Sequence, residues 1–101
     1  MEKKKAHYNL EQVKTLIQQG DFEITKTAKD NAANDFRFFT KQIVQTVLSL
    51  EKVDLFKSMT TNKDNKLWQD VYYKKLINNQ IAYIKFQIIN ENTLIIQFKE
   101  K

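Results

Sequence analysis

A chain of 101 residues with 42% hydrophobic content has room for one domain, residues 1–101, around one core. It has no cysteine and a single histidine, His7, which excludes a disulfide framework, a thiolate metal site and a histidine cluster. Its net charge of +5 favours anionic partners, and the lack of any long apolar run argues against a membrane span or secretory signal, pointing to a cytoplasmic protein. Any chemistry must therefore come from lysines, tyrosines, carboxylates, amides, hydroxyls or the sole arginine, Arg37.

Residues 1–8 are polar and basic and read as an extended or frayed arm, with Lys3, Lys4 and Lys5 solvated. Asn9 is placed to cap a helix whose apolar stripe is Leu10, Val13, Leu16 and Ile17. Gly20 falls where a left-handed C-cap is wanted. Asp21–Thr25 alternates with period two, as a short strand or connector does. Thr25 or Thr27 then caps a second helix over about 26–34, whose Ala28, Ala32 and Ala33 permit close packing. Thr40 opens a third helix ending near 50–52, with Phe39 and Val44 spaced as a hydrophobic staple.

From Val53 onward the period changes to two. Strands are expected at about 54–60, 66–74, 80–89 and 93–99, with turns at Asn78-Asn79 and Asn90-Glu91-Asn92. Helices followed by an antiparallel meander predict an α+β fold, N-terminal helices packed on one face of a twisted antiparallel sheet.

Register sorts the side chains. A three-residue loop at 90–92 pairs Ile88 with Leu94, Phe86 with Ile96 and Ile84 with Phe98, a clean apolar face. A two-residue loop mixes the faces. The first alternative sets Tyr83 opposite Lys99 and Lys85 opposite Gln97, away from the core. The same alternation groups Lys57 with Leu55 and Met59, and Gln69 with Val71 and Tyr73, leaving Phe56, Trp68, Asp70 and Tyr72 on the other side. A strict two-residue turn at 78–79 separates Gln69 from Tyr83, whereas a longer turn or a bulge unites them. In the second case one face gathers Lys57, Gln69, Tyr83, Lys85 and Lys99, a set suited to a phosphodiester. Solvated sheet faces are also commonly lysine-rich, so the pleat alone leaves both readings open.

At these residues the chain resembles a known family. The pieces that carry the resemblance are Met1-Glu2-Lys3 with His7, Leu10, Gln12-Val13-Lys14 and Gly20. They continue with Lys57-Ser58-Met59-Thr60-Thr61, Trp68-Gln69-Asp70-Val71-Tyr72, then Gln80, Tyr83, Lys85 and the terminal Phe98-Lys99-Glu100-Lys101. The chain is similar from end to end to the motility quorum-sensing regulator (MqsR) toxins, RelE-like mRNA interferases of type II toxin–antitoxin systems. The segment around Asp35-Phe36-Arg37-Phe38-Phe39 departs from the family's Gly-containing pattern, which bears on sequence preference and antitoxin contacts.

The resemblance implies a RelE-like microbial RNase fold and a metal-independent endoribonuclease without cofactor, cutting single-stranded mRNA with a GCU-type preference. It also implies an antitoxin with a zinc-binding N-terminal part and a helix-turn-helix part, so that DNA is met only through that partner. The family's functional residues fall on Lys57, Gln69, Tyr83 and Lys99. Lys85, Tyr73 and Lys63 are candidate RNA contacts, and Tyr73 or Trp68 is expected to stack on unpaired bases. The expected reaction is attack of the RNA 2′-OH on the adjacent phosphate, with Tyr83 or a lysine of lowered pKa moving protons. Lys57 and Lys99 stabilise phosphoryl charge and Gln69 orients the phosphate. The alternative is a non-catalytic basic RNA- or DNA-binding regulatory domain, and a third reading is a protein-interaction domain that pairs an exposed sheet edge with a partner strand.

Overall fold

A computed structural model describing residues 1–101 gives β1 (Glu2–Lys3), α1 (Leu10–Gln18), β2 (Phe22–Ile24), α2 (Lys26–Phe36) and α3 (Thr40–Leu48). A 3-10 turn at Lys52–Asp54 leads into β3 (Leu55–Thr60), β4 (Trp68–Lys75), β5 (Ile81–Ile89) and β6 (Asn92–Glu100). The strands form one sheet in the order β1-β3-β4-β5-β6-β2. Every pair is antiparallel except the short edge strand β2, which runs parallel to β6. The fold is α+β, with the helices on one face.

Local chemistry explains the helices. The Asn9 side-chain oxygen accepts from the Gln12 N–H at 3.1 Å, and Gly20 takes φ +87 just past the end of α1. Thr25 caps α2, its hydroxyl oxygen accepting from the Ala28 N–H at 3.1 Å. That helix runs on to Phe36 and stops where Arg37 adopts left-handed backbone, φ 58. Ala28 and Ala32 are fully buried, as their size predicts for a helix lying close on β6.

The staple at α3 differs from expectation. Phe39 is the capping residue and is 65% exposed, so it anchors nothing. The Gln42 side-chain oxygen instead accepts from the Phe39 N–H at 2.9 Å, and Phe38 supplies the apolar anchor on the core. The helix ends at Leu48, short of the predicted 50–52. Leu10, Val13, Ile17, Ile43 and Val47 meet Tyr72, Ile84, Phe86, Ile95 and Phe98 in one buried cluster.

The N-terminal arm is not frayed. Glu2 and Lys3 pair with Met59 and Ser58, and the Met1 ammonium donates to Thr60 Oγ1 at 3.0 Å. The backbone N–H groups of His7 and Tyr8 donate to the Asp70 carboxylate at 3.1 and 3.0 Å, and the Ser58 hydroxyl donates to it at 2.6 Å. A buried carboxylate must be satisfied in this way, and here the arm supplies two of the three donors.

Two irregularities decide the sheet's faces. The β5–β6 connection is a two-residue turn, with Asn90 and Glu91 both at positive φ (52 and 60), so Ile88 faces Thr93 and Phe86 faces Ile95. A bulge at Ile96 then restores the expected register further on, with Lys85 opposite Gln97, Ile84 opposite Phe98 and Tyr83 opposite Lys99. The β4–β5 connection is the longer alternative: the Leu76 N–H donates to the Gln80 carbonyl at 2.8 Å around a loop ending at Asn79, φ 69. Tyr73 therefore lies opposite Tyr83.

Candidate active site

The face turned away from the helices carries three rows of side chains, set by register. Adjacent strands are about 4.8 Å apart, and rows two residues apart along a strand lie about 7 Å from each other. The first row is Tyr73, Tyr83 and Lys99. The second is Lys57, Val71 and Lys85, and the third is Met59, Gln69, Gln87 and Leu94. Lys57, Gln69, Tyr83, Lys85 and Lys99 thus share one face.

The bulge between Leu55 and Lys57 changes where Phe56 points. Leu55 packs on the core, and Phe56 turns to the outer face instead of the inner one, stacking on Tyr73 with centroids 4.4 Å apart. Tyr73 in turn leans on Tyr83 at 5.9 Å. Cations sit over this aromatic ledge: Lys99 Nζ is 5.2 Å from the Tyr83 ring, Lys101 Nζ 4.8 Å from Tyr73 and Lys4 Nζ 5.0 Å from Phe56. Each lysine is held near a ring face without losing its exchangeable contacts with solvent.

Electrostatics separate the titratable groups. Val71 is fully buried on this outer face, so the floor beneath the lysines is dry. Burial, then the like charges of Lys99 and Lys57, hold the Lys85 ammonium below the ordinary lysine value. Burial pushes the Tyr83 hydroxyl above the ordinary tyrosine value, against the opposing pull of Lys57. The two shifts run in opposite directions, making the Lys85 proton easier and the Tyr83 proton harder to remove than in the free side chains. Lys57 Nζ also pairs with Glu2 at 3.1 Å, its side chain 20% exposed. That carboxylate is 59% exposed, so the pair contributes little and leaves Lys57 open to exchange of partner.

Two expected contacts lie elsewhere. Trp68 is on the helix side, covered by the His7 ring stacked at 5.3 Å and by Lys3 Nζ at 4.1 Å, and its neighbour Tyr8 donates its hydroxyl to the Trp68 carbonyl. By strand parity it stands on the opposite face of the sheet from the three rows. Lys63 sits in the exposed loop between β3 and β4, with no ion pair or hydrogen bond tying it to the three rows. Gln97, opposite Lys85, turns its oxygen to Asn31 at 2.8 Å.

Sequence reasoning missed three residues on this face. Phe56 was hidden by the bulge, which no glycine marks. Glu2 belongs to an arm whose partner strand is more than fifty residues away. Gln87 was visible only as the next outward position after Lys85, with nothing to distinguish it from a solvated glutamine.

Comparison with known proteins adds an independent line. The family model described as motility quorum-sensing regulator, toxin of MqsA, matches residues 5–100. The mRNA interferase toxin MqsR of Escherichia coli (strain K12) is 38% identical over 101 residues, covering the whole of both chains. No helix here is long and apolar enough to cross a membrane.

Proposed function

Since this chain belongs to the MqsR toxin family, we infer that it performs that family's reaction on the outer face of its sheet. It is the toxin of a toxin–antitoxin pair and an endoribonuclease acting on mRNA. That relationship sets aside a purely non-catalytic binding domain. The finer reading is of residues 1–101 acting as one toxin domain in the cytoplasm, cutting single-stranded mRNA at GCU-type sites without a metal. Its antitoxin would carry a zinc-binding N-terminal part and a helix-turn-helix part that meets DNA.

The observation that carries the site reading is the shared face of Lys57, Gln69, Tyr83, Lys85 and Lys99. In the proposed reaction the 2′-oxygen attacks the adjacent phosphorus as Lys85, in its neutral form, takes the 2′-OH proton. Tyr83 gives its proton to the departing 5′-oxygen. The O2′–P bond forms and the P–O5′ bond breaks, leaving a 2′,3′-cyclic phosphate and a 5′-hydroxyl. Lys57 and Lys99 balance charge on the non-bridging oxygens, and the Gln69 amide orients the phosphate. Unpaired bases stack on the ledge of Tyr73 and Phe56 where the exposed Lys101 and Lys4 side chains, which lie over those rings, swing aside.

The pKa displacements give this assignment a pH signature. A base whose pKa is lowered is deprotonated from a lower pH, so cleavage rises with pH through a limb below the ordinary lysine value. The raised Tyr83 keeps its proton through that range, so no falling limb appears until above the ordinary tyrosine value. Rates of RNA cleavage measured in EDTA across neutral to alkaline pH are expected to follow this shape, and Lys85→Met is expected to flatten the rise. A rise unchanged in Lys85→Met removes Lys85 from the role of base.

A further inference from the structure

Gln87 occupies an outward position on β5, where an antiparallel sheet normally carries a solvated side chain. It is only 4% exposed, and its neighbour Gln69 only 9%. The two amides meet directly: Gln69 Nε2 donates to Gln87 Oε1 at 3.0 Å. Met59 and Leu94 flank the pair on either side in the same row, and buried Val71 lies beside it on the same face. The amide pair is therefore set in a dry strip next to the lysines.

That environment has a consequence for Gln69. A glutamine side chain has three rotatable bonds, and an isolated one on a sheet samples many orientations. A hydrogen bond in a low-dielectric strip is stronger than the same bond in water. With one N–H committed to Gln87, the remaining N–H and the Oε1 of Gln69 carry no protein partner. No side-chain polar atom that lacks a partner is buried, so the Oε1 of Gln69 opens toward solvent. The pair fixes the plane of the Gln69 amide, and with it the directions of its Oε1 and second N–H.

We propose that Gln87 is a positioning residue for RNA cleavage, holding the Gln69 amide in the orientation that engages the scissile phosphate. The proposal rests on the reading of Gln69 as part of the site. A misplacement on the order of 1 Å costs up to about a hundredfold in rate, which sets the scale of the effect.

The test is single-turnover cleavage of a single-stranded RNA by wild type, Gln87→Met, Gln69→Met, the double variant and Gln87→Glu. Methionine keeps the unbranched stem and volume but removes the accepting oxygen. Gln87→Met is expected to lower the rate about ten- to hundredfold with little change in KM. The double variant is expected to be no slower than Gln69→Met, because Gln87 acts only through Gln69. Gln87→Glu keeps an acceptor for the Gln69 N–H and is expected to recover most of kcat, while its added negative charge raises KM. A wild-type rate in Gln87→Met overturns the proposal. So do effects that multiply in the double variant, or a Gln87→Glu enzyme with kcat no better than Gln87→Met, an arm that stays decisive even if the methionine variant folds poorly. Wild-type cleavage by Gln69→Met overturns the reading of Gln69 itself and, with it, this proposal.

Discussion

Replacing Lys57 by alanine is expected to lower RNA cleavage by about 10²–10³-fold, the loss typical when one preorganised group facing a developing oxyanion is removed. The side chain stands over the buried Val71 floor, in a row with Lys85 across it, and its only ion-pair partner is the exposed Glu2 carboxylate. A dry floor strengthens its interaction with phosphoryl charge relative to the same lysine in open water. The loss is expected in kcat more than in KM, because the charge on the non-bridging oxygens grows as the reaction proceeds. Lys57→Ala should melt close to wild type, since an exposed pair contributes roughly 0–1 kcal/mol. Lys29→Ala removes the same charge from the helix side of the molecule and serves as the control. Equal loss in both variants would mean that net charge, and not this face, governs cleavage.

Asp70→Ala is expected to be the most damaging polar substitution for stability, by about 2–5 kcal/mol. The Asp70 carboxylate is fully buried and accepts from the His7 and Tyr8 N–H groups and the Ser58 hydroxyl. Alanine strands the two backbone donors, each costing roughly 1–3 kcal/mol when left unpaired, with some relief as the arm moves into water, while the Ser58 hydroxyl keeps the Gln69 carbonyl at 3.4 Å. For a domain of this size each kcal/mol corresponds to a fall of roughly 4–8 °C in Tm. Asp70→Asn keeps one accepting oxygen and is expected to fall between wild type and alanine in a thermal or denaturant melt. The arm is also expected to release in Asp70→Ala, uncovering Trp68, whose fluorescence should shift toward that of an exposed indole. A melt unchanged from wild type would show that the arm's contacts with β4 contribute nothing.

Much of the architecture could be read from periodicity and capping. Asn9 and Gly20 delimit α1 because each residue has a specific conformational task there, and the change of period after Val53 marks the sheet. The Tyr83–Lys99 and Lys85–Gln97 pairs followed from matching the apolar faces of the last hairpin, although by a different route. The turn is two residues long and the bulge at Ile96 makes up the count. Pattern matching detects parity, and parity is the same for one added loop residue or one added strand residue. The bulge at Phe56 escaped for the same reason, and it moved an aromatic side chain from the expected inner face to the outer one.

What could not be read was non-local. The docking of residues 1–8 depends on Ser58 and Asp70, and nothing in the arm's own composition distinguishes it from a solvated tail. Its ordering covers one side of the Trp68 ring and sets Glu2 beside Lys57. The Gln69–Gln87 pair likewise exists only because the longer turn after Leu76 brings the two outward positions opposite each other. The candidate residues were legible as types and parities, whereas their partners required the folded sheet.

This sheet face is expected to cut RNA through the 2′-oxygen, using side chains and no metal. Mass analysis of the fragment ends, after the purified chain has acted on a defined single-stranded RNA in EDTA, tests it most directly. The expected ends are 5′-hydroxyl and 2′,3′-cyclic phosphate or its hydrolysis product. Fragments with 5′-phosphate and 3′-hydroxyl ends, or RNA left uncut until a divalent metal is restored, would contradict it.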